Sequence, residues 1–124
     1  MTEKDPSECL EDIVKYARQA MDFGKNVSRA EFESNLEKQY ALIRCLEVIG
    51  EAAVRLDKIA PSIRQGNLDI PWKKIIGMRN MLIHHYEEAN LGMIWDTVQN
   101  HVPELEKQIA NILEDHRLKR KKNL

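Results

Sequence analysis

Residues 77–90, GMRNMLIHHYEEAN, place an arginine inside an apolar run and follow it with two histidines and a tyrosine. On a helix at about 100° per residue, five apolar side chains lie within about 60° of Arg79. They are Trp72, Ile75, Ile76, Leu82 and Ile83. A buried guanidinium without a partner is costly. Arg79 therefore either forms an ion pair within the core or lines a wet cleft between helices or subunits.

His84 is a second candidate, because a free histidine titrates near neutral pH and can transfer protons. It lies about 140° from Arg79 on an ideal helix and shares a side with Asn80. Both can act on one ligand if the helix ends or bends near His84, or if a second copy of the chain completes the site. A histidine at a helix end can equally be a cap or a surface residue.

The preceding predicted helix carries alternating charges at spacings of three, four and four: Arg44, Glu47, Glu51 and Arg55. This face is either solvated, with weak ion pairs, or a polar wall facing Arg79, for which Glu51, beside Gly50, is the best candidate. Di-metal bundles use Glu-x-x-His pairs, which this sequence lacks. Walker, GxGxxG, GxSxG and HExxH motifs are also absent. We therefore expect no metal and no cofactor.

The elements that must position these residues are helices. Apolar residues recur at helical spacing, and five glycines and four prolines leave little material for turns. The sequence predicts an all-α bundle of four to five helices. The signals are helix starts near Pro6, Ser28, residue 35, Pro71 and Asn90, a stop at Gly24, a connection at 61–67 and an interruption at Pro103. Gly50 should allow close approach of another helix.

The remaining features bound the protein class. The N-terminus has no signal-peptide pattern, no apolar run reaches the length of a membrane span, and Cys9 and Cys45 are expected to be reduced and buried. We expect a cytoplasmic protein. The last nine residues hold five Lys or Arg. We predict one domain over 1–116 and a flexible basic tail over 117–124, which either attracts RNA or a partner or only aids solubility.

The segment from Arg79 to Tyr86 has the form R-x4-H-x-Y and resembles the motif of the HEPN superfamily, in its HepT-like toxin branch. The flanking segments match the same branch across nearly the whole chain. They are IGEAA at 49–53, IPW at 70–72, GMRN at 77–80, Trp95, and VPEL at 102–105. The motif itself shows no departure, whereas the basic tail is not part of the family pattern.

The resemblance implies a homodimeric HEPN-type helical bundle in which two motif copies face each other across a cleft. It implies a toxin of a type VII-like toxin–antitoxin pair, a ribonuclease that needs no metal. The implied partner is a minimal nucleotidyltransferase antitoxin of the MntA type, which transfers AMP to the tyrosine of the motif, here Tyr86. Arg79 and His84 are then catalytic, and Asn80 and Glu51 support them.

RNA supplies its own nucleophile, the 2′-hydroxyl, so this chemistry suits the residues. His84 can move protons, and Arg79 can hold the non-bridging oxygens of the phosphate. Two alternatives remain. A non-catalytic HEPN module could bind nucleotides or act as a scaffold for a nucleotidyltransferase, and an unrelated four-helix protein could bury an ion pair at Arg79.

Overall fold

The computed structural model describes residues 3–85, 87 and 89–123, which form seven helices. In chain order these are α1 (Ser7–Gly24), α2 (Arg29–Glu33), α3 (Leu36–Ile59), α4 (Pro61–Gln65), α5 (Trp72–His85), α6 (Leu91–Asn100) and α7 (Val102–Lys122). Five are ten residues or longer, and α2 and α4 are single turns. This confirms the predicted all-α class.

The core lies where α1 packs against α3 and α7, and α6 covers the end of α1. α1 and α3 each bury a long apolar face, with Leu10, Ile13 and Ala17 on α1 and Leu42, Ile49 and Leu56 on α3 among the most buried residues. Burying such side chains from water is the dominant favourable term in folding. α5 packs chiefly on α3 and buries only Trp72 and Leu82 fully.

Side-chain caps fix where several helices begin. Ser28 accepts a hydrogen bond from the backbone N–H of Glu31 at the start of α2, and Asn35 accepts one from Lys38 at the start of α3. Asn90, the predicted cap of the last segment, accepts from Met93. At α1 the Asp5 carboxylate accepts from both the backbone N–H and the hydroxyl of Ser7. These side chains satisfy amide groups that have no partner within the helix.

Pro103 interrupts the last apolar stripe as predicted, since α6 ends at Asn100 and α7 begins at Val102. Proline has no N–H to donate and is accommodated in the first turn of a helix. One difference lies at 61–67, where the sequence indicates only a connection. A one-turn helix, α4, forms there with Pro61 in its first turn.

The basic C-terminal segment is predicted to be flexible, but α7 continues through Lys122. Arg117 pairs with Glu11, and both Arg120 and His116 pair with Asp5. The prediction missed these acids because they come from α1, at the opposite end of the sequence. A domain boundary at residue 116 remains a prediction, although no break in the helix marks it.

Both cysteines are buried and free, as expected. Burial raises the pKa of each thiol, which keeps the nucleophilic thiolate scarce. Among the described helices, none is long and apolar enough to cross a membrane.

Candidate active site

The R-x4-H segment lies on α5, and the start of this helix is firmly anchored. Ile70 and Trp72 are buried on either side of Pro71. The indole Nε1 of Trp72 donates a hydrogen bond of 2.9 Å to the backbone oxygen of Asn67. A buried indole satisfied in this way fixes both the position and the rotation of α5.

Gly50 determines how closely α5 approaches α3. A Cβ built on Gly50 would lie 2.1 Å from the Cβ of Arg79 and 2.7 Å from its Cγ. The backbone oxygen of Ile75 would lie only 3.3 Å away. Any side chain at position 50 would therefore push the two helices apart. The close approach predicted at Gly50 is present, and the residue that packs against Gly50 is Arg79.

Arg79 is half-buried beside this helix contact. Its Nε is buried and has no hydrogen-bond acceptor among the described residues. Its Nη1 donates a 2.9 Å hydrogen bond to the side-chain oxygen of Asn80. Unpaired buried donors are rare in native structures and often mark functional positions. Within the described residues Arg79 is therefore not the fully paired core arginine that the purely structural interpretation requires.

Two carboxylates lie on the α3 face near this contact. The Glu51 side chain is 36% exposed, and its Oε1 lies 3.6 Å from Nη1 of Arg44. Glu47 is more buried, at 19% side-chain exposure, and lies 3.9 Å from the same Arg44 atom. Burial raises the pKa of Glu47, the positive charges of Arg44 and Arg79 oppose that rise, and Glu51 adds to it. Glu47 is thus one carboxylate close enough to Arg79 for their charges to interact.

The sequence singled out Glu51 for this position, which stays a prediction, and the structure adds Glu47 as a second candidate. On an ideal helix Glu47 lies about 60° from Gly50, and Glu51 lies about 100° from it. The sequence already contained this information, because the residue closer to Gly50 on the surface of α3 faces α5, the helix that packs there. Glu51 pairs with Arg44, and no ion pair joins it to Arg79 in the described part of the chain.

His84 and His85 are both exposed on the last turn of α5. The helix runs unbroken through both, so it does not end between Arg79 and His84. Arg79 therefore faces α3, while His84 shares the solvent side with the exposed Asn80. On an unbroken helix the two predicted catalytic residues thus project about 140° apart. Tyr86, the predicted AMP acceptor, lies outside the described residues.

An apolar groove of about 610 Å³ runs along the other side of α5, between this helix and α6 and α7. Its lining includes Met78, Met81 and Met93, and it includes neither Arg79 nor His84. Within residues 3–85, 87 and 89–123 no group of three or more His, Cys, Asp or Glu side chains could hold a metal ion.

A family model identifies the chain. The family model described as ribonuclease HepT-like matches residues 8–112, which span α1 to most of α7. The chain belongs to the HepT-like ribonuclease family. The HepT-like match covers the α3–α5 contact and the whole R-x4-H-x-Y segment, so the resemblance indicated by the motif is confirmed.

Curated relatives agree with the HepT-like assignment. A Methanocaldococcus jannaschii protein named “Putative RNase MJ1216” is 38% identical over 115 residues, which is 93% of each chain. The protein named “Probable ribonuclease HepT” of Thermococcus cleftensis is 32% identical over 96 residues, which is 77% of this chain and 84% of the other. No solved structure matches the chain significantly.

Proposed function

We propose that the protein is a metal-independent ribonuclease with a composite active site formed by two copies of the chain. The observation that carries this proposal is the split on α5. Arg79 has a buried Nε without an acceptor among the described residues, while His84 is exposed about 140° away on the same unbroken helix. A second α5, facing the first, would supply a His84 to each Arg79. Membership of the HepT-like family supports the RNA substrate.

The reaction is an internal transfer within RNA. The 2′-hydroxyl oxygen attacks the adjacent phosphorus, the bond from phosphorus to the 5′-oxygen breaks, and a 2′,3′-cyclic phosphate and a 5′-hydroxyl remain. His84 accepts the 2′-hydroxyl proton, and the 5′-oxygen takes up a proton from the resulting imidazolium or from solvent. Arg79 stabilises the charge that develops on the non-bridging oxygens, and Asn80 orients its guanidinium through their hydrogen bond. No water needs activation, so no metal is required.

Purified protein incubated with total RNA in EDTA tests this activity directly. Wild type should cut RNA and leave 2′,3′-cyclic phosphate ends. His84→Ala should lose the activity, and His85→Ala, an exposed neighbour on the same turn, is the matched control that should retain most of it. If His84→Ala cuts as fast as wild type, the proposed mechanism is wrong.

The composite site has a separate test. Mixing Arg79→Ala with His84→Ala protein should restore part of the cleavage, because each mixed dimer holds one site with both residues intact. Analytical ultracentrifugation should show a dimer for wild type and for both variants. A monomer with full activity would exclude the two-copy arrangement.

We further propose that the protein is the toxin of a toxin–antitoxin pair in the cytoplasm. The proposed antitoxin is a minimal nucleotidyltransferase of the MntA type that uses Tyr86 as its AMP acceptor. The phenol oxygen of Tyr86 would attack the α-phosphorus of ATP, pyrophosphate would leave, and the phenol proton would pass to a base of the transferase or to solvent. Tyr86 follows His84 by two residues in the sequence. An adenylate there would add bulk and negative charge beside the site and compete with an RNA phosphate.

Intact-mass spectrometry after incubation with the antitoxin, ATP and magnesium tests the modification. Wild type should gain the mass of one or more AMP groups on the peptide that contains Tyr86, and should lose cleavage in proportion. Tyr86→Phe should still cleave RNA and escape silencing. An unmodified Tyr86 in a silenced complex would refute AMP transfer and indicate steric occlusion by the partner.

A further inference from the structure

Four residues of α5 form one exposed line, which we call the α5 stripe: Lys73, Gly77, Asn80 and His84. Their spacings of four, three and four keep them within about 60° of one another on the helix surface. All four are solvent-exposed. The stripe begins in the first turn of α5 and ends at the proposed catalytic histidine.

Gly77 is unusual among the helical glycines. A Cβ on Gly24, Gly50 or Gly92 would lie 2.9, 2.1 or 2.4 Å from a neighbouring side-chain atom, so packing explains each of these glycines. A Cβ on Gly77 would meet no atom within 4 Å. Its φ is also outside the left-handed region.

Glycine in the middle of a helix destabilises it relative to alanine, and no described part of this chain compensates at Gly77. Glycine is favoured where a ligand or another backbone must approach the helix closely. The missing side chain of Gly77 therefore leaves room for a molecule outside the chain.

The chemistry of the stripe indicates what that molecule is. Lys73 takes part in none of the ion pairs among the described residues. Asn80 is hydrogen-bonded to the cationic Arg79, and His84 can carry a proton. Gly77 borders the apolar groove, but the stripe itself contains no apolar side chain, whereas the core of a protein–protein interface is apolar and poor in charge. A cationic, open and polar line is suited to a phosphodiester backbone.

We infer that the α5 stripe is an RNA-binding face, on which Lys73 binds a phosphate remote from the bond that is cut. The strand passes His84 with its reacting phosphate, crosses the open surface at Gly77 and reaches Lys73. Eleven residues of helix separate Lys73 from His84, a span of about 16 Å, which corresponds to a few nucleotides. This inference rests on the proposed ribonuclease function. Lys73 is a positioning residue, because it does not touch the reacting atoms.

Lys73→Gln tests the remote contact, and Lys74→Gln is the matched control. Lys74 is equally exposed on the same turn and lines the apolar groove, which Gly77 also borders, but Lys74 does not lie on the stripe. The probe is a 2′-O-methyl oligoribonucleotide of about ten nucleotides, which lacks the nucleophile and stays intact. Lys73→Gln should reduce the slope of log affinity against log salt by about 0.7 per lost contact. Lys74→Gln should keep the wild-type slope.

Substrate length separates a remote contact from a general loss of activity. Lys73→Gln should raise KM several-fold for a cleavable RNA of about ten nucleotides and leave the cleavage of a dinucleotide unchanged. kcat should stay at the wild-type value for both substrates. A structural role for Lys73 would affect both substrates alike, and that result would overturn the inference.

Gly77→Ala and Gly77→Leu test the open surface. Both should raise Tm, because both residues favour a helix more than glycine does. Both should raise KM for the longer RNA, with the larger effect for leucine. If Gly77→Leu instead abolishes the dimer, the stripe is a contact between two copies and the RNA inference is wrong.

Failure of this inference and failure of the proposed function give different results. Wild-type protein that cleaves RNA, with Lys73→Gln and Gly77→Ala unchanged in KM and salt slope, would refute the α5 stripe and leave the ribonuclease intact. Wild-type protein that does not cleave RNA would refute the ribonuclease itself.

Discussion

α5 and the end of α7 are the two most cationic segments of the molecule, and they differ in whether their arginines have acidic partners. At the end of α7, Arg117 pairs with Glu11, and Arg120 pairs with Asp5. On α5, Arg79 makes a hydrogen bond only to its neighbour Asn80, and its Nε has no acceptor among the described residues. The α7 cations join two ends of the chain. The α5 cations are left available to an external anion, which is what a site for a phosphodiester needs.

The contrast between the two segments predicts that removing a cation from α5 and removing one from α7 have different effects on cleavage. Arg79→Ala should lower kcat/KM for RNA by about a hundred- to a thousand-fold, the usual effect of removing a donor to a developing oxyanion. It should leave Tm nearly unchanged, because alanine retains the Cβ that lies on Gly50. Steady-state cleavage and thermal melting measure both effects.

Arg120→Ala is the matched control. Its pair with Asp5 is largely exposed, so its loss should lower stability by at most about 1 kcal/mol and leave cleavage at the wild-type rate. Equal losses of activity in the Arg79 and Arg120 variants would mean that paired and unpaired cations do not differ in role.

The contact between Gly50 and Arg79 leaves no room for a side chain at position 50. Gly50→Ala should destabilise the fold by about 1–3 kcal/mol, the usual range for overpacking, and should also reduce cleavage, because Arg79 must move. Urea unfolding would measure the loss. Gly77→Ala on the exposed side of α5 is the control for helix propensity and should stabilise the protein, since nothing lies near its Cβ. A Gly50→Ala protein as stable as wild type would show that α5 shifts without cost.

The contribution of the pairing between Asp5 and α7 to stability can be tested by changing the pH. Hydrogen bonds from the side chain and backbone of Ser7, then His116 and Arg120, lower the pKa of Asp5 from 3.8 to about 2. The carboxylate therefore stabilises the fold at pH values above its ordinary pKa, and this contribution disappears as the pH falls towards 2. Asp5→Asn should lower stability at pH 7 by no more than about 1 kcal/mol, since the carboxylate is half-exposed.

Urea midpoints at pH 7 and pH 2.5 would test the Asp5 linkage. The difference between wild type and Asp5→Asn should be largest at pH 7 and should shrink at the acidic pH. A constant difference at both values would assign the effect to the geometry of the helix cap rather than to the charge.

The smallest expected effect is at Glu47. Burial raises its pKa, so its ionised form destabilises the fold once the pH exceeds the ordinary value of 4.5. Glu47→Gln should then raise stability at pH 7 by a few tenths of a kcal/mol, and the gain should vanish below pH 4.5. If Glu47→Gln instead loses both stability and cleavage, Glu47 holds Arg79 in place. The arginine of α5 would then depend on a carboxylate partner, as the arginines of α7 do.

Local signals in the sequence predicted much of this arrangement. Caps at Ser28 and Asn90, the interruption at Pro103 and the close approach at Gly50 each depend on a few adjacent residues. Features that depend on distant residues were missed. The pairing of the C-terminal arginines depends on acids in and just before α1, at the other end of the sequence, while the supporting role of Glu51 stays a prediction. The position of Tyr86 lies outside the described residues and remains a prediction.

The one-sided attachment of α5 has a consequence for the order in which the molecule comes apart. α5 is held along α3, buries two residues fully and borders an open apolar groove on its other side. Segments with few buried contacts open in local fluctuations at lower free energy than the core. Backbone amides of α5 should therefore exchange with deuterium sooner than those of α1 and α3. On heating, such a protein would lose its site before its fold, so inactivation would precede the cooperative melt of the bundle.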